Sequence, residues 1–270
     1  MLTAMPQQKR VFTPYEQNQL KKYKVSLAKT QKYGTMPVEY ICGFAEFGDY
    51  DFAVNPNVLI PRVESIQIVE AAIDHCSANL KRQYLIADVG CGSGNIGISL
   101  FLKLQKRPIT SQIYLSDLSG KALKIAQQNA KRLIPKAQLA NFTFLKSNLL
   151  SQYPKHPSPR RSPAKAGQPP QFDLIVANLP YIPTSRLKSL PASVKNYEPL
   201  MALDGGPKGL QLIKALIRQA PNYLKENGAM ILEIDDKHKL TDFTEFINFK
   251  KQIQKDCFSR NRFLLLQRLF

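Results

Sequence analysis

Leu85-Ile86-Ala87-Asp88-Val89-Gly90-Cys91-Gly92-Ser93-Gly94-Asn95-Ile96-Gly97 is the stretch on which the fold turns. Leu85–Val89 is a short apolar run that reads as a buried strand. A glycine-rich turn follows at once, and Ile98-Ser99-Leu100-Phe101-Leu102 opens a helix. Glycines between strand and helix let a ligand come close to the backbone, near a helix N-terminus. Gly92, Gly94 and Gly97 match the spacing of the dinucleotide fingerprint, a pattern of low specificity when it stands alone.

Three further strand ends downstream carry polar residues. Gln112–Ser116 is a strand ending in Asp117, and an acid there can accept both hydroxyls of a ribose. The same Asp117 can instead cap a helix over 118–132, and the two roles are compatible. Asn141–Leu145 leads to Ser147-Asn148-Leu149, where Asn148 is either a reader of an adenine amino group or a plain loop residue. Phe172–Val176 is a buried strand that delivers Ala177-Asn178-Leu179-Pro180-Tyr181-Ile182-Pro183 to its carboxyl end, where open α/β sheets place their ligands. Pro180 lacks a backbone donor and biases Leu179 toward an extended conformation. The Asn178 carboxamide oxygen and the Leu179 carbonyl are then a pair of acceptors one residue apart. That pair suits a planar amino group with two N–H donors, and Tyr181 offers it an aromatic face. A turn after a strand uses the same residue types, so these four residues alone leave both readings open.

The flanking sequence completes the frame. Residues 1–36 hold seven Lys/Arg against the single acid Glu16, with Thr13-Pro14 placed to cap a helix to about Lys32. Residues 37–64 read as a hairpin around Gly48-Asp49 and a linker through Val58–Arg62. The spacing of Ile66, Val69, Ala72 and Ile73 predicts a helix over 65–77. Residues 151–171 hold six prolines, four Lys/Arg and no acid, and read as a low-complexity surface insertion. A polar helical stretch is expected over 184–193. A helix is expected over 209–226, disturbed near its end by Pro221 and closed by Asn227-Gly228. Ala229–Ile234 is a buried strand, and two closing strands near 247–254 and 262–269 are expected as an antiparallel edge. Strand–helix alternation predicts an α/β fold with a mainly parallel sheet, residues 65–270 forming its main domain.

Composition narrows the class. The chain has 270 residues with 44% hydrophobic content, enough for a sizeable core. Lys and Arg total 38 against 20 acids, a net charge of +18 that favours a polyanionic partner such as ribosomal RNA. Cys42, Cys76, Cys91 and Cys257 are widely spaced, which argues against a zinc ribbon or disulfide scaffold and fits a reducing, cytoplasmic setting. No apolar run reaches membrane-span length, and the N-terminus lacks a signal-peptide core.

Together these motifs resemble the class I methyltransferases that use S-adenosylmethionine, with their Rossmann-like seven-stranded sheet and antiparallel C-terminal edge strand. The nearer resemblance is to the HemK-type family, which methylates the glutamine amide of peptide chain release factors. That family shows Asn-Pro-Pro-Tyr where this chain has Asn178-Leu179-Pro180-Tyr181. It shows Leu-Ile-Pro-Arg-Pro-Glu-Thr where this chain has Leu59-Ile60-Pro61-Arg62-Val63-Glu64-Ser65. Pro37–Gly43, Tyr197-Glu198-Pro199, Ala202-Leu203, Gly205-Gly206 and Gly209-Leu210 fit as well. The resemblance implies S-adenosylmethionine held by Asp88, Gly90, Cys91, Gly92, Gly94, Asn95, Asp117, Leu118, Asn148, Leu149 and Asn178. It implies a catalytic and substrate-binding segment of Asn178, Leu179, Pro180 and Tyr181, joined by Arg62 and Glu64 at the pocket entrance. It implies no metal.

The chain also departs from the family pattern. Only some 36 residues precede Pro37, where the family usually has several helices that dock the release factor. Leu179 and Val63 replace prolines, Asn148 stands where Asp is common, and the 151–171 insertion is additional. Asn-Leu-Pro-Tyr is also the motif of the rRNA adenine dimethyltransferases. Those enzymes lack the Leu-Ile-Pro-Arg and Glu-Pro-x-x-Ala-Leu-x-Gly-Gly segments. A non-catalytic binding module is a third reading. An NAD(P)-linked reductase would explain the glycine turn but not Asn178.

Overall fold

The computed structural model describes residues 10–78, 81–154 and 169–270. Most of the expected insertion, residues 155–168, and the first nine residues of the arm lie outside them.

The arm begins with α1 (Pro14–Lys22), whose Thr13 and Glu16 form a reciprocal capping box. The expected helix to Lys32 stops ten residues early. Lys24 adopts a left-handed φ of 57°, and the Val25 and Lys24 amides donate back to Leu20 and Lys21 carbonyls at 2.8 and 3.1 Å. This is a Schellman ending with lysine in glycine's usual place, and Val25 folds back against Phe12, Leu20 and Val38. Two short helices follow, α2 (Leu27–Thr30) and α3 (Val38–Cys42). The expected hairpin is β1 (Phe44–Phe47) and β2 (Tyr50–Ala53). Lys22 pins the arm to it through Glu46 and Asp51, at 2.5 and 2.8 Å.

The main unit follows in order: α4 (Ile66–Ala78), β3 (Gln83–Val89), α5 (Asn95–Leu104), β4 (Thr110–Asp117), α6 (Gly120–Leu133), β5 (Phe142–Lys146) and β6 (Phe172–Ala177). Then come α7 (Ala192–Lys195), α8 (Gln211–Gln219), β7 (Leu224–Glu233), β8 (Phe249–Lys255) and β9 (Asn261–Arg268). The seven-stranded sheet has the order β5-β4-β3-β6-β7-β9-β8. Alternate strand residues feed two layers. Ile86, Leu115, Leu174 and Ile231 pack against α4, α5 and α6. Ala87, Ile175, Met230 and Leu264 pack with α8 on the other face.

Three expectations need adjustment. α8 ends at Gln219 because Pro221 cannot continue it; β7 has begun by Leu224, so Asn227-Gly228 is an irregularity inside that strand. Residues 184–189 form a 3₁₀ segment, and only Ala192–Lys195 is α-helical there. The antiparallel strand is β9, lying one place in from the edge, whereas β8 outside it runs parallel to β7. Side chains explain the exchange. β9 brings buried Phe263, Leu264 and Leu266 to the interior, while β8 reads Phe-Lys-Lys-Gln-Ile-Gln-Lys, a charged strand suited to an edge.

The sheet order places the ends of β3 and β6 side by side while their following connections leave toward opposite flanks. Such a switch point opens a crevice at the carboxyl edge. Asn178 follows β6 there, and Glu233 ends the adjacent β7, with Ala177 in register with Leu232. No described helix is long and apolar enough to cross a membrane.

Candidate active site

The turn after β3 is tied to β4. The Gly90 and Cys91 amides both donate to the Ser116 carbonyl, at 2.8 and 2.9 Å. Gly90 and Gly92 have φ of +74° and +55°, conformations that side-chain-bearing residues rarely adopt. The two glycines differ in what faces them. A Cβ on Gly90 would come within 2.7 Å of Leu179 Cδ2, whereas a Cβ on Gly92 would meet nothing within 4 Å and would stand in the open cleft. Asp117 holds the rim of this turn: its Oδ2 accepts from the Gly92 amide at 2.9 Å and its Oδ1 from the Ser119 amide at 2.8 Å. The helix cap is Ser119, whose hydroxyl accepts from the Ala122 amide at 3.2 Å. Asp117 is therefore released from the capping role to face the cleft. Burial raises its pKa, opposed by the two amide bonds.

Asp88 lies one layer deeper. Its Oδ2 accepts from the Gly97 amide at 2.9 Å, anchoring the start of α5. Its buried Oδ1 has no partner among the described residues. Burial pushes the Asp88 carboxyl up to about 7, the Gly97 bond opposing and the charge of Asp117 adding a smaller increment.

On the other wall stands Asn178. Its Nδ2 donates to Ser65 Oγ at 2.9 Å, and Ser65 Oγ donates to Glu233 Oε2 at 2.5 Å. The second Glu233 oxygen accepts from the Tyr181 hydroxyl at 2.9 Å. Among the described hydrogen bonds, none engages Asn178 Oδ1 or the Leu179 carbonyl. Leu179 itself is buried against Gly90, so its side chain locks the acceptor segment to the glycine turn.

Of the residues expected from the sequence, Arg62, Gly90, Cys91, Gly92, Asn95, Asp117, Leu118, Asn148, Leu149, Asn178, Leu179 and Pro180 border one cleft. Asp88 and Gly94 lie behind its wall, Gly94 against Ile98 and Ala126. Tyr181 does not border it; the ring packs into the core beside α8 and its hydroxyl is bound to Glu233. Glu64 does not border it either, and Arg62 pairs with Glu198 at 2.5 Å rather than with Glu64. Glu198 is buried and also accepts from the Ile60 amide at 3.3 Å, so it clamps the whole Ile60–Arg62 segment. Ser65, Glu198 and Glu233 were not singled out as site residues by sequence reasoning. Glu233 carried the signal that marked Asp88 and Asp117: an acid at the end of an apolar strand.

The residues present fit S-adenosylmethionine. Asp117 keeps lone pairs for two hydroxyls, and Gly92 leaves room for close approach of a ligand to the backbone. Leu118 and Leu149 give apolar surface for a flat base, and the exposed Asn148 stands beside them.

A family model described as a methyltransferase domain matches residues 80–265. The release factor glutamine methyltransferase of Moorella thermoacetica is 36% identical over 239 residues, covering 86% of this chain and 75% of its own. Its namesake from Koribacter versatilis is 36% identical over 216 residues, covering 78% of this chain and 69% of its own. That of Geobacter sulfurreducens is 35% identical, covering 73% and 60%. Among solved structures, a methyltransferase from Pyrococcus furiosus aligns over 96% of this chain and 100% of its own, with a TM-score of 0.51 at 15% identity, and shares the fold. With the fold, the cleft and these relatives in agreement, the chain belongs to the release factor glutamine methyltransferase family, within the class I methyltransferases.

Proposed function

We propose that this chain transfers a methyl group from S-adenosylmethionine to the side-chain amide nitrogen of a glutamine, in the Gly-Gly-Gln segment of a peptide chain release factor. The observation that carries this reading is the acceptor pair: Asn178 Oδ1 and the Leu179 carbonyl, adjacent in the chain and without partners among the described residues. An amide nitrogen is a poor nucleophile because its lone pair is delocalised into the carbonyl. The bound cofactor supplies a methyl on a positively charged sulfur, so the protein's task is alignment and electrostatics. The acceptor pair holds the two N–H groups and fixes the direction of the nitrogen. Attack on the methyl would break the S–C bond, its electron pair leaving on sulfur as a neutral thioether, while positive charge grows on the nitrogen; both acceptor oxygens stabilise that charge until one N–H proton passes to water. Arg62, clamped by Glu198, lines the mouth of the cleft and shapes the substrate's approach. The setting this implies is the cytoplasm, where release factors work.

The test is mass spectrometry of a purified release factor after incubation with this chain and S-adenosylmethionine. One added methyl on the Gly-Gly-Gln glutamine is expected. With Asn178→Ala, transfer should fall roughly 10²-fold, the scale for losing a preorganised polar contact, with cofactor affinity nearly intact. A methyl found instead on adenine in ribosomal RNA would favour the second reading, which the same acceptor pair and the net charge of +18 support. We infer a further, weaker contact between the basic surface and ribosomal RNA. Affinity for RNA should then fall steeply with salt, and a salt-independent affinity would remove it.

A further inference from the structure

We propose that Ser65 and Glu233 are positioning residues that decide which end of the Asn178 carboxamide faces the substrate. The proposal rests on the reading that Asn178 Oδ1 accepts from the substrate amide. A carboxamide has two ends of nearly the same shape and opposite polarity: an oxygen that accepts and an NH₂ that donates. Turned one way, Asn178 receives an amino group. Turned the other way, it repels one and receives a carbonyl. The strand and the turn place the side chain but leave this choice open.

The choice is made by a chain of donors and acceptors. Glu233 is the last residue of β7, only 1% exposed, and as a carboxylate it can only accept. One of its oxygens takes the Tyr181 proton at 2.9 Å. The other takes the Ser65 proton at 2.5 Å. Ser65 has one proton and has spent it, so it offers Asn178 only lone pairs. The group 2.9 Å away must then be the NH₂, and Oδ1 is turned to the opposite side. Burial raises the Glu233 pKa on balance, with a smaller push from the charge of Glu64, while the Ser65 and Tyr181 bonds and the charge of Arg262 from β9 oppose it. Reversing the first link reverses the rest. A glutamine at 233 can present its NH₂ to Ser65, which frees the Ser65 proton for Asn178 and turns the Asn178 NH₂ into the cleft.

The test is a double-mutant cycle on the full chain with a glutamine-containing release factor, measuring kcat, KM for both substrates and thermal melting. Ser65→Ala and Glu233→Gln should each lower kcat roughly tenfold or more, with little change in KM for S-adenosylmethionine. Ser65→Thr, which keeps the hydroxyl, should recover most of that loss. In an Asn178→Ala background, Ser65→Ala and Glu233→Gln should add almost nothing, because they act through the missing carboxamide. Losses that simply multiply in the double variants would overturn the relay while leaving the acceptor reading of Asn178 standing. If Asn178→Ala alone kept full turnover, the acceptor reading and the relay would fall together. If Ser65→Ala does not fold, the Glu233→Gln cycle decides the question, since that substitution preserves shape. A Ser65→Thr variant that folds but is as slow as Ser65→Ala would also count against the relay.

Discussion

Replacing Asp117 should separate cofactor binding from the chemistry proposed for Asn178. The Asp117 carboxylate accepts the Gly92 and Ser119 amides at 2.9 and 2.8 Å, and its remaining lone pairs face the cleft. Asp117→Ala removes both sets of bonds. Hydrogen bonds to a charged acceptor contribute about 1.5–3 kcal/mol each. On the protein side, Gly92 is only half-buried, so water replaces part of its loss, and a stability cost of about 1–2 kcal/mol is expected. On the ligand side, two hydroxyls lose an ionised acceptor and regain water, for a net loss of about 1–3 kcal/mol, or roughly 5- to 150-fold in Kd. Asp117→Asn keeps one acceptor oxygen and should fall between, near fivefold. Calorimetric titration with S-adenosylmethionine reads the affinity, and thermal denaturation without ligand reads the stability. An unchanged Kd in Asp117→Ala would remove Asp117 from the ligand site, and an unchanged Kd together with an unchanged melting point would refute the loop-rim assignment as well.

Other perturbations have equally definite outcomes. Asp88 has its carboxyl raised from 3.8 to about 7 in the folded state, so the folded chain binds the extra proton. Its contribution to stability is full below about pH 4 and is lost as pH rises through about 7; Asp88→Asn should remove that pH-dependent loss, on the order of 4 kcal/mol in all, in denaturant titrations at each pH. An equal slope in both proteins would count against an unusually basic Asp88. Gly92→Ala places a methyl in the cleft and should weaken cofactor binding, at a folding cost of about 1 kcal/mol from its positive φ. Gly90→Ala drives that methyl into Leu179 and should lower turnover as well; a variant that bound poorly but turned over normally at saturation would break the proposed coupling of the two walls. Lys24→Gly should stabilise the chain by about 0.5–1 kcal/mol, because glycine accepts the left-handed backbone that lysine occupies there, and no gain in denaturant midpoint would refute it.

The sequence revealed what is local. The β3–turn–α5 unit shows because an apolar run, three glycines and an apolar helix follow one another within twenty residues. Asp117 and Asn178 show because each stands one step past such a run. Element ends were harder to read. Asp117 and Ser119 are both good caps; the helix begins at Gly120 with Ser119 as its cap, and Asp117 binds the Gly92 and Ser119 amides instead. Pro221 and Asn227-Gly228 compete to end α8, and the earlier one wins. The relay behind Asn178 could not be read at all. Ser65 and Glu233 are 168 residues apart, and neither has a local pattern that names its partner. The bond between Tyr181 and Glu233 was hidden for the same reason, which is why an aromatic face for the substrate looked the natural use of Tyr181.

The place of β9 sets an order of events in folding. It lies between β7 and β8 although it is synthesised after both. Phe249–Lys255 therefore emerges with nothing to pair with, and the Ala229–Glu233 edge of β7 stays open until Asn261–Arg268 arrives. β9 then pairs with both neighbours, with β8 as a hairpin closing at Lys255 and Asn261 and with β7 through Ala229–Glu233. Arg262 travels on that late strand, pairs with Asp256 at 3.2 Å, and its charge opposes the burial of Glu233 less than the Ser65 and Tyr181 bonds do. The strand that completes the sheet thus also brings one of the charges acting on Glu233, the acceptor that stands behind Ser65 and Asn178.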